Sequence, residues 1–211
     1  LESIDSYAFR GAGFVEVQLP DTLQMLGDSV FFECASLTSF QLPASLTTLP
    51  KGTLRDCTSL TEVILHGAVT HIGQEAFKDA TSLTSIQLPM NLVSIGTAAF
   101  QGCTNLAQIH IPNGVSVLSD SVFEDCINLS EITLPSNLTT IGEDAFNNCR
   151  MLTDFYIPET VASIGARAFM NCTSLQSLTF LGNAPAIGLW ALANNTMIAY
   201  YPYNDDTWTG D

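Results

Sequence analysis

Hydrophobic and polar positions along the chain recur every 23 residues. The cysteines stand at one phase of this repeat, at positions 34, 57, 103, 126, 149 and 172, and Ala80 fills the missing member of their column. A Phe or Leu column lies three residues before the cysteines, and a Leu column lies three residues after them. Prolines 20, 43, 89, 112, 135 and 158 form a further column, which His66 interrupts. A fixed period of this length indicates stacked structural repeats.

One unit reads L-x-x-I-x-L-P-x-x-L-x-x-I-G-x-x-A-F-x-x-C-x-x. Eight such units cover residues 14–197 and begin at Phe14, Leu37, Leu60, Leu83, Leu106, Leu129, Leu152 and Leu175. Residues 1–13 form a partial unit with one residue deleted, the last full unit is degenerate, and residues 198–211 are expected to form a truncated C-terminal cap. Residues 1–211 are therefore predicted to make a single repeat domain.

Each unit predicts a short strand followed by two changes of direction. In "SLTSIQLP", Ile86 and Leu88 stand two residues apart, which is the period of a strand. Pro89 ends that strand because it has no N–H for a further ladder bond. "NLVSI" returns the chain to the core, and Gly96 permits a tight corner. "TAAFQGC" is predicted to form a short helical turn or a bulge.

No single unit can bury its apolar edge, so the units must stack and cover one another. The predicted fold is a repeat solenoid of the α/β class that is rich in β structure. We expect a right-handed leucine-rich-repeat solenoid, with a parallel strand ladder on one face and short helical turns or irregular segments on the other.

The joint Pro, Gly-x-x-Ala-Phe and Cys columns resemble the Treponema pallidum-type leucine-rich repeat of BspA-like surface proteins. The ending "AYYPYNDDTWTGD" resembles the tails of BspA-like proteins from gut Firmicutes. The resemblance implies an extracellular module, secreted or anchored at the cell surface, that adheres to a protein or glycoprotein ligand. Matrix or plasma glycoproteins such as fibronectin and fibrinogen, and other microbes, are the ligands that it implies.

The charge of the chain narrows the choice of partners. Six basic and 21 acidic residues give a net charge of −15. Such a body repels phosphate backbones and anionic lipid headgroups, so nucleic-acid and membrane-surface binding are disfavoured. The sequence contains no apolar run of about eighteen residues and no recognisable signal peptide. We expect a cytoplasmic protein or the mature or trimmed part of an exported one, with no membrane insertion.

The cysteine column predicts buried free thiols that act as small apolar groups. A disulfide such as Cys126–Cys149 is not excluded by the expected spacing between coils. The histidines lie in different columns and no C-x-x-C pair occurs, so we expect no metal site and no cofactor.

No catalytic motif accompanies the repeat, and we expect no enzyme activity. The acidic pairs Glu124–Asp125 and Glu143–Asp144 are expected to be solvated on the convex side. An acidic column directly before the cysteines is expected to cap or solvate helix ends, with calcium binding as the alternative; its members are Glu33, Asp56, Asp79 and Asp125.

The exposed positions of each strand are the two that flank the Ile column. One series is Glu16, Ser39, Glu62, Ser85, Gln108, Glu131, Asp154 and Ser177; the other is Gln18, Gln41, Ile64, Gln87, His110, Thr133, Tyr156 and Thr179. Charged and aromatic members of these series are usable recognition groups. We hypothesise a ligand-binding face formed by Glu62, His110, Glu131, Asp154 and Tyr156. An ordinary solvated sheet face is the alternative.

Aromatic residues crowd near the C-terminus, at Trp190, Tyr200, Tyr201, Tyr203 and Trp208. Covering the last open coil explains them, and an aromatic carbohydrate-binding platform is the alternative.

Two functions remain after these exclusions. The preferred hypothesis is a non-catalytic extracellular binding or adhesion module. The alternative is a stiff spacer that displays other domains of a larger surface protein. An enzyme would require a catalytic domain outside these residues, and the sequence gives no indication of oligomeric state.

Overall fold

The chain winds into a parallel β-solenoid of about nine turns. The computed structural model describes residues 1–202 and 206–208. Every strand pair is parallel. The predicted solenoid with a parallel ladder is therefore confirmed.

One ladder, called the first ladder below, uses the strand that was predicted before each proline. Most of its outward residues are polar and its inward residues are apolar, which is the alternation of a strand with one buried face. Neighbouring coils pair with a shift of one repeat, so that Ser39 lies beside Glu62. The strands are Ser39–Gln41, Glu62–Ile64, Gln108–His110, Glu131–Thr133, Asp154–Ile157, Ser177–Phe180 and Ile198–Tyr200, with single bridges at Glu16 and Ser85.

A second ladder runs along another side of the solenoid and was not predicted. The proline turn leads into it, because the Leu92 N–H donates to the Pro89 carbonyl at 3.0 Å and closes a four-residue turn. Each strand has only two residues, of which the second faces the core in all but the last coil. The strands are Ser3–Ile4, Met25–Leu26, Thr48–Leu49, His71–Ile72, Ser94–Ile95, Val117–Leu118, Thr140–Ile141, Ser163–Ile164 and Ala186–Ile187.

A glycine follows the second-ladder strand in most coils because the preceding coil leaves no room for a side chain. The Gly96 N–H donates to the Ile72 carbonyl at 2.8 Å, which draws the two backbones together. A Cβ built on Gly96 would lie 2.5 Å from the backbone nitrogen of Gln74. The glycine column is thus a consequence of coil spacing.

After the first coil, two coils lack this glycine, and the second ladder is interrupted at both. Pro50 replaces it in one coil, and the strands ending at Leu26 and Leu49 do not pair. Ser119 replaces it in another, and the strands ending at Ile95 and Leu118 do not pair. The Ser119 Oγ donates to the Ile95 carbonyl at 2.6 Å and takes the place of the missing backbone bond. Proline offers no N–H at all.

We expect Gly165→Ala to destabilise the protein. Its Cβ would meet the backbone nitrogen of Glu143 at 2.4 Å, and both coils would have to move apart. A cost of about 2 kcal/mol in the free energy of unfolding is expected, as for other overpacked sites. Urea unfolding followed by circular dichroism measures it.

Gly13→Ala is the matched control, because a Cβ on Gly13 would meet no atom within 4 Å. The control should be neutral or slightly stabilising. Equal effects of the two substitutions would contradict the proposed role of coil spacing.

The segment between the glycine and the cysteine forms successive turns, and the predicted helical turn is wrong. The irregular alternative is correct, since the only helical element among the described residues is the 3₁₀ helix Asp206–Trp208. Two residues per coil adopt the left-handed conformation, as Ala98 (φ 55°) and Gly102 (φ 72°) do in one coil. An α-helix cannot accommodate them.

This conformation also explains the acidic column before the cysteines. Asp125 (φ 60°) and Asn148 (φ 66°) lie in the left-handed region, which Asp, Asn and Gly tolerate best. The helix-capping role expected for this column is therefore wrong, because there is no helix to cap.

Stacked aromatic rings run through the core next to these turns. Consecutive rings lie 5.1–5.6 Å apart between centroids and are inclined by 11–16°. The stack comprises Phe77, Phe100, Phe123, Phe146 and Phe169, all fully buried. Each coil therefore covers the ring of the coil before it.

The six cysteines are buried and free, as predicted. Each thiol donates to a backbone carbonyl of the preceding coil, and the Cys126 Sγ lies 3.1 Å from the Phe100 oxygen. Asn195 stands at the cysteine position of the degenerate unit, and its Nδ2 donates to the Phe169 carbonyl at 2.7 Å. Burial raises the pKa of Cys57 and of Cys172 to about 12. The thiols thus remain protonated hydrogen-bond donors.

The described part of the C-terminal segment packs on the last coil. The strand Ile198–Tyr200 pairs with the first-ladder strand Ser177–Phe180, with Ile198 beside Ser177. The sequence separation of these two partners is shorter than the 23-residue repeat. The Trp208 indole N–H donates to the Gly182 carbonyl at 3.1 Å, and its ring meets Phe180 edge-on at 4.7 Å. Tyr201 stacks on Trp208 and remains exposed, as do Trp190 and Tyr200. Tyr203 lies outside the described residues. Residues 198–202 and 206–208 thus contact the last coil, and the cap over residues 198–211 stays a prediction.

Candidate binding face

All five residues of the hypothesised binding face have exposed side chains on the first ladder. They are Glu62, His110, Glu131, Asp154 and Tyr156. Tyr156 is 60% exposed, although its strand neighbours Phe155 and Ile157 are buried. The position is outward because side chains alternate along a strand.

The first ladder is interrupted twice, which the repeat pattern did not predict. Glu62–Ile64 does not pair with the following coil at Ser85, and Glu131–Thr133 does not pair with Asp154–Ile157. At the second interruption, most Cα–Cα distances between the strands Glu131–Thr133 and Asp154–Ile157 exceed 8 Å. Strands of a continuous ladder lie about 4.8 Å apart. The coils therefore separate on this face while they remain bonded along the second ladder, where Gly165 donates to Ile141 at 2.7 Å.

The later interruption opens a cavity of about 690 Å³, here called the 131–154 groove. Ile132, Leu134 and Phe155 line it between the two strands. Tyr156 and Leu181 contribute exposed apolar surface at its margin. The groove is lined by Ser130, Glu131, Ile132, Thr133, Leu134, Ser136, Leu152, Asp154, Phe155, Tyr156, Pro158, Glu159 and Leu181.

The earlier interruption opens a cavity of about 820 Å³, here called the 62–85 groove. Its exposed apolar residues are Ile64 and Met90, which are 46% and 68% exposed. His110 and Glu131 close its far side. Glu131 is the only carboxylate among the described lining residues.

The structure brings together only part of the hypothesised site. Glu131, Asp154 and Tyr156 line the 131–154 groove, and His110 lines the 62–85 groove with Glu131. Glu62 lies elsewhere, in a smaller cavity of about 300 Å³ near the N-terminal coils. The grooves share Glu131, so four of the five residues form one continuous region.

The 131–154 groove is negatively charged. Glu131, Asp154 and Glu159 lie on its rim, and its described lining residues include no Lys or Arg. The Ser177 hydroxyl donates to Asp154 Oδ1 and fixes the direction of that carboxylate. The arrangement favours a cationic ligand group next to an apolar one.

The apolar floor of both grooves was missed from sequence. Ile132 and Leu134 are partly exposed at the interruption, whereas the equivalent Ile109 and Ile111 are buried. The one available signal was Ile64, an apolar residue in an otherwise polar or aromatic column. Coil separation itself leaves no mark on the repeat.

The acidic pairs of the turn segments are hydrogen-bonded or ion-paired to neighbouring side chains. Arg167 bridges Glu143 and Asp144, with a distance of 2.7 Å to Asp144 Oδ2. Glu124 accepts from Gln101 at 2.7 Å, and Asp125 accepts from Asn148 at 2.6 Å. Glu143 is exposed as expected, whereas Glu124, Asp125 and Asp144 are half-buried. No cluster of three or more His, Cys, Asp or Glu that could hold a metal occurs within the described parts of the chain.

The fold and the face define a class of protein. Parallel strands, a 23-residue repeat and stacked Leu, Ile and Phe columns make a leucine-rich-repeat solenoid, which is typically a non-catalytic scaffold for protein interaction. Six copies of the BspA type leucine rich repeat region match residues 1–92 and 70–199. The chain belongs to the BspA-type leucine-rich repeat family.

Solved structures agree with this assignment. A leucine-rich repeat protein from Bacteroides ovatus superposes with a TM-score of 0.73 at 25% identity, and the match covers 95% of this chain but 59% of that chain. The leucine-rich repeat protein TpLRR of T. pallidum gives 0.66 at 31% identity, covering 72% of each chain. The pneumococcal vaccine antigen PcpA gives 0.59 at 20% identity, covering 100% of this chain and 64% of that chain, and shares the fold.

No curated protein matches the chain. Within residues 1–202 and 206–208, no helix has the length and apolar character needed to cross a bilayer.

Proposed function

We propose that this solenoid is a non-catalytic, extracellular adhesion module that binds a protein or glycoprotein ligand through its first ladder. The observation that supports the proposal most is the 131–154 groove. It combines an apolar floor, the exposed Tyr156 ring and two rim carboxylates from adjacent coils, Glu131 and Asp154. Aromatic anchors beside directed charges are typical of protein-binding sites.

The family and the charge support the proposed location and ligand class. BspA-like proteins are surface proteins, so we propose that this module is secreted or anchored at the cell surface. Its net charge of −15 disfavours nucleic acid and anionic lipid as ligands. Matrix and plasma glycoproteins are the ligands that we propose, as the resemblance implies.

The proposal is tested by binding to immobilised fibronectin, fibrinogen, collagen and mucin. The test variant carries Glu131→Ala, Asp154→Ala, Tyr156→Ala and His110→Ala. All four side chains are exposed, so the melting temperature should stay within a few degrees of the wild-type value. We expect saturable binding by the wild-type protein to at least one ligand, and a loss of at least about tenfold in affinity for the variant.

The control places alanine in the same two columns of the N-terminal half, outside the 131–154 and 62–85 grooves, at Glu16, Gln18 and Gln41. It should bind like the wild-type protein. Failure of the folded wild-type protein to bind any of the four ligands would contradict the adhesion proposal and favour the rigid spacer.

A further inference from the structure

We propose that the 131–154 groove binds one extended basic peptide segment by strand addition, which completes the interrupted first ladder. The inference deepens the proposed function and rests on it, since it names the form of ligand that the face accepts. It is carried by three observations: unpaired backbone edges, an apolar floor and a carboxylate rim.

The first observation is that both edges of the interruption offer backbone groups. In a neighbouring coil the Ile111 N–H donates to the Thr133 carbonyl at 2.9 Å. One repeat later the equivalent donor is the Leu134 N–H and the equivalent acceptor is the Tyr156 carbonyl, and this bond is not formed. Each edge therefore has its main-chain groups directed at the gap.

The opposite end of the interrupted strand shows the same pattern. The Glu131 N–H donates to the Ala107 carbonyl at 3.2 Å, and one repeat later the Asp154 N–H and the Ser130 carbonyl stay unpaired with each other. One inserted strand would satisfy donors and acceptors on both sides. It requires about 9.6 Å between the flanking strands. Most Cα atoms across the gap are more than 8 Å apart, whereas paired strands lie much closer.

The second observation is the floor of the groove. Ile132 and Leu134 are partly exposed there, although the equivalent side chains of the neighbouring coil are buried. An added strand directs alternate side chains inward, at the period of two residues that strands impose. Small branched apolar residues at those positions would cover Ile132 and Leu134 and restore the buried column.

The third observation is the rim. Glu131, Asp154 and Glu159 flank the groove, and its described lining residues carry no basic side chain. Outward side chains of the added strand would meet these carboxylates, so lysine or arginine is favoured there. The 62–85 groove has one carboxylate in its described lining and lacks this selection. The ligand is therefore a segment that alternates basic and branched apolar residues.

The probe is a fluorescent peptide, acetyl-(Lys-Val)₄-amide, and binding is measured by anisotropy with the whole chain. We expect saturable binding that acetyl-(Glu-Val)₄-amide does not compete for. The decisive probes are two versions of this peptide with methylated backbone nitrogens. One is methylated on the backbone nitrogen of every valine, and the other on the backbone nitrogen of every lysine. Valine and lysine N–H groups point to opposite edges of the added strand. Insertion between two edges predicts that each version binds at least about tenfold more weakly.

Two protein variants separate groove binding from attraction to the acidic body. Glu131→Gln with Asp154→Asn removes two rim charges and should weaken peptide binding by at least about tenfold. Glu2→Gln with Glu16→Gln removes the same charge from exposed N-terminal positions and should change it less than about twofold. Equal binding of parent and N-methylated peptides, or equal losses in the two variants, would overturn strand addition.

The four-ligand panel is measured alongside and keeps the two proposals separable. Panel binding that the alanine variant loses, together with no peptide binding, would overturn strand addition and leave the adhesion module standing. Peptide binding with the N-methylation pattern but no panel binding would support strand addition and overturn adhesion to those ligands.

Discussion

Above pH 9 the protein is expected to lose stability steeply. All six cysteines are inaccessible to solvent, and burial raises the pKa of each thiol above the ordinary 9.0; the increase is large for five of them, Cys57, Cys103, Cys126, Cys149 and Cys172. Thiols in the unfolded chain ionise near pH 9, whereas the buried ones hold their protons. Unfolding therefore releases protons in this range, and alkaline pH favours the unfolded chain.

The sign and size of the effect follow from proton linkage. Below pH 9 the thiols are protonated in both states, so their contribution to stability is fully present. From pH 9 up to the folded pKa, which is about 12 for Cys57 and Cys172, each thiol lowers the free energy of unfolding. The slope is about 1.4 kcal/mol per pH unit for each thiol, or about 7 kcal/mol per pH unit for five. A domain stable by 5–15 kcal/mol should unfold by about pH 11.

Urea unfolding between pH 8 and pH 10.5, under reducing conditions, measures the slope. The matched variant is Cys103→Ala with Cys126→Ala, because Ala80 shows that alanine is accepted in this column. Its slope should be smaller by about 2.7 kcal/mol per pH unit. A stability that is constant over this range, or equal slopes for the two proteins, would contradict the buried-thiol account.

Phe146→Ala is expected to be the most damaging single substitution of the aromatic stack. The Phe146 ring lies 5.6 Å from Phe123 and 5.1 Å from both Phe155 and Phe169. Removing this ring leaves a cavity between two coils and eliminates three aromatic contacts. We expect a loss of about 4 kcal/mol in the free energy of unfolding, from cavity formation and lost aromatic pairing.

Phe146→Leu is the control, since Leu54 occupies the same column naturally. It should cost about 1–1.5 kcal/mol, because most of the volume is retained. Urea unfolding near pH 7 compares both variants with the wild-type protein. Equal losses for leucine and alanine, or a loss below about 2 kcal/mol for alanine, would contradict a tightly stacked core.

The sequence predicted those features that every coil repeats. The first ladder and its exposed columns follow from alternation in segments such as 85–88, and the buried thiols follow from the fixed phase of the cysteines. The second ladder escaped prediction because its two-residue strands are too short to show an alternation. The helical turn was predicted from the small residues of "TAAFQGC". The Asp, Asn and Gly column before the cysteines was the overlooked signal for left-handed turns.

The grooves could not be predicted because they depend on how far apart two coils lie. Glu131 and Asp154 occupy equivalent positions of successive units, and the repeat alone places them side by side. The structure separates them across a gap, and only the missing strand pairing shows it. By contrast, the interruptions of the second ladder were visible in principle, at Pro50 and Ser119.

Amide hydrogen exchange tests the central claim, that ligands bind the first ladder at the 131–154 groove. Exchange would be recorded by mass spectrometry with and without a saturating panel ligand. Our account predicts slower exchange in the peptides that contain Glu131–Thr133 and Asp154–Ile157. It predicts unchanged exchange in the turns around Asp125 and Asn148. Protection confined to the turns around Asp125 and Asn148, or no protection at saturating ligand, would contradict this account.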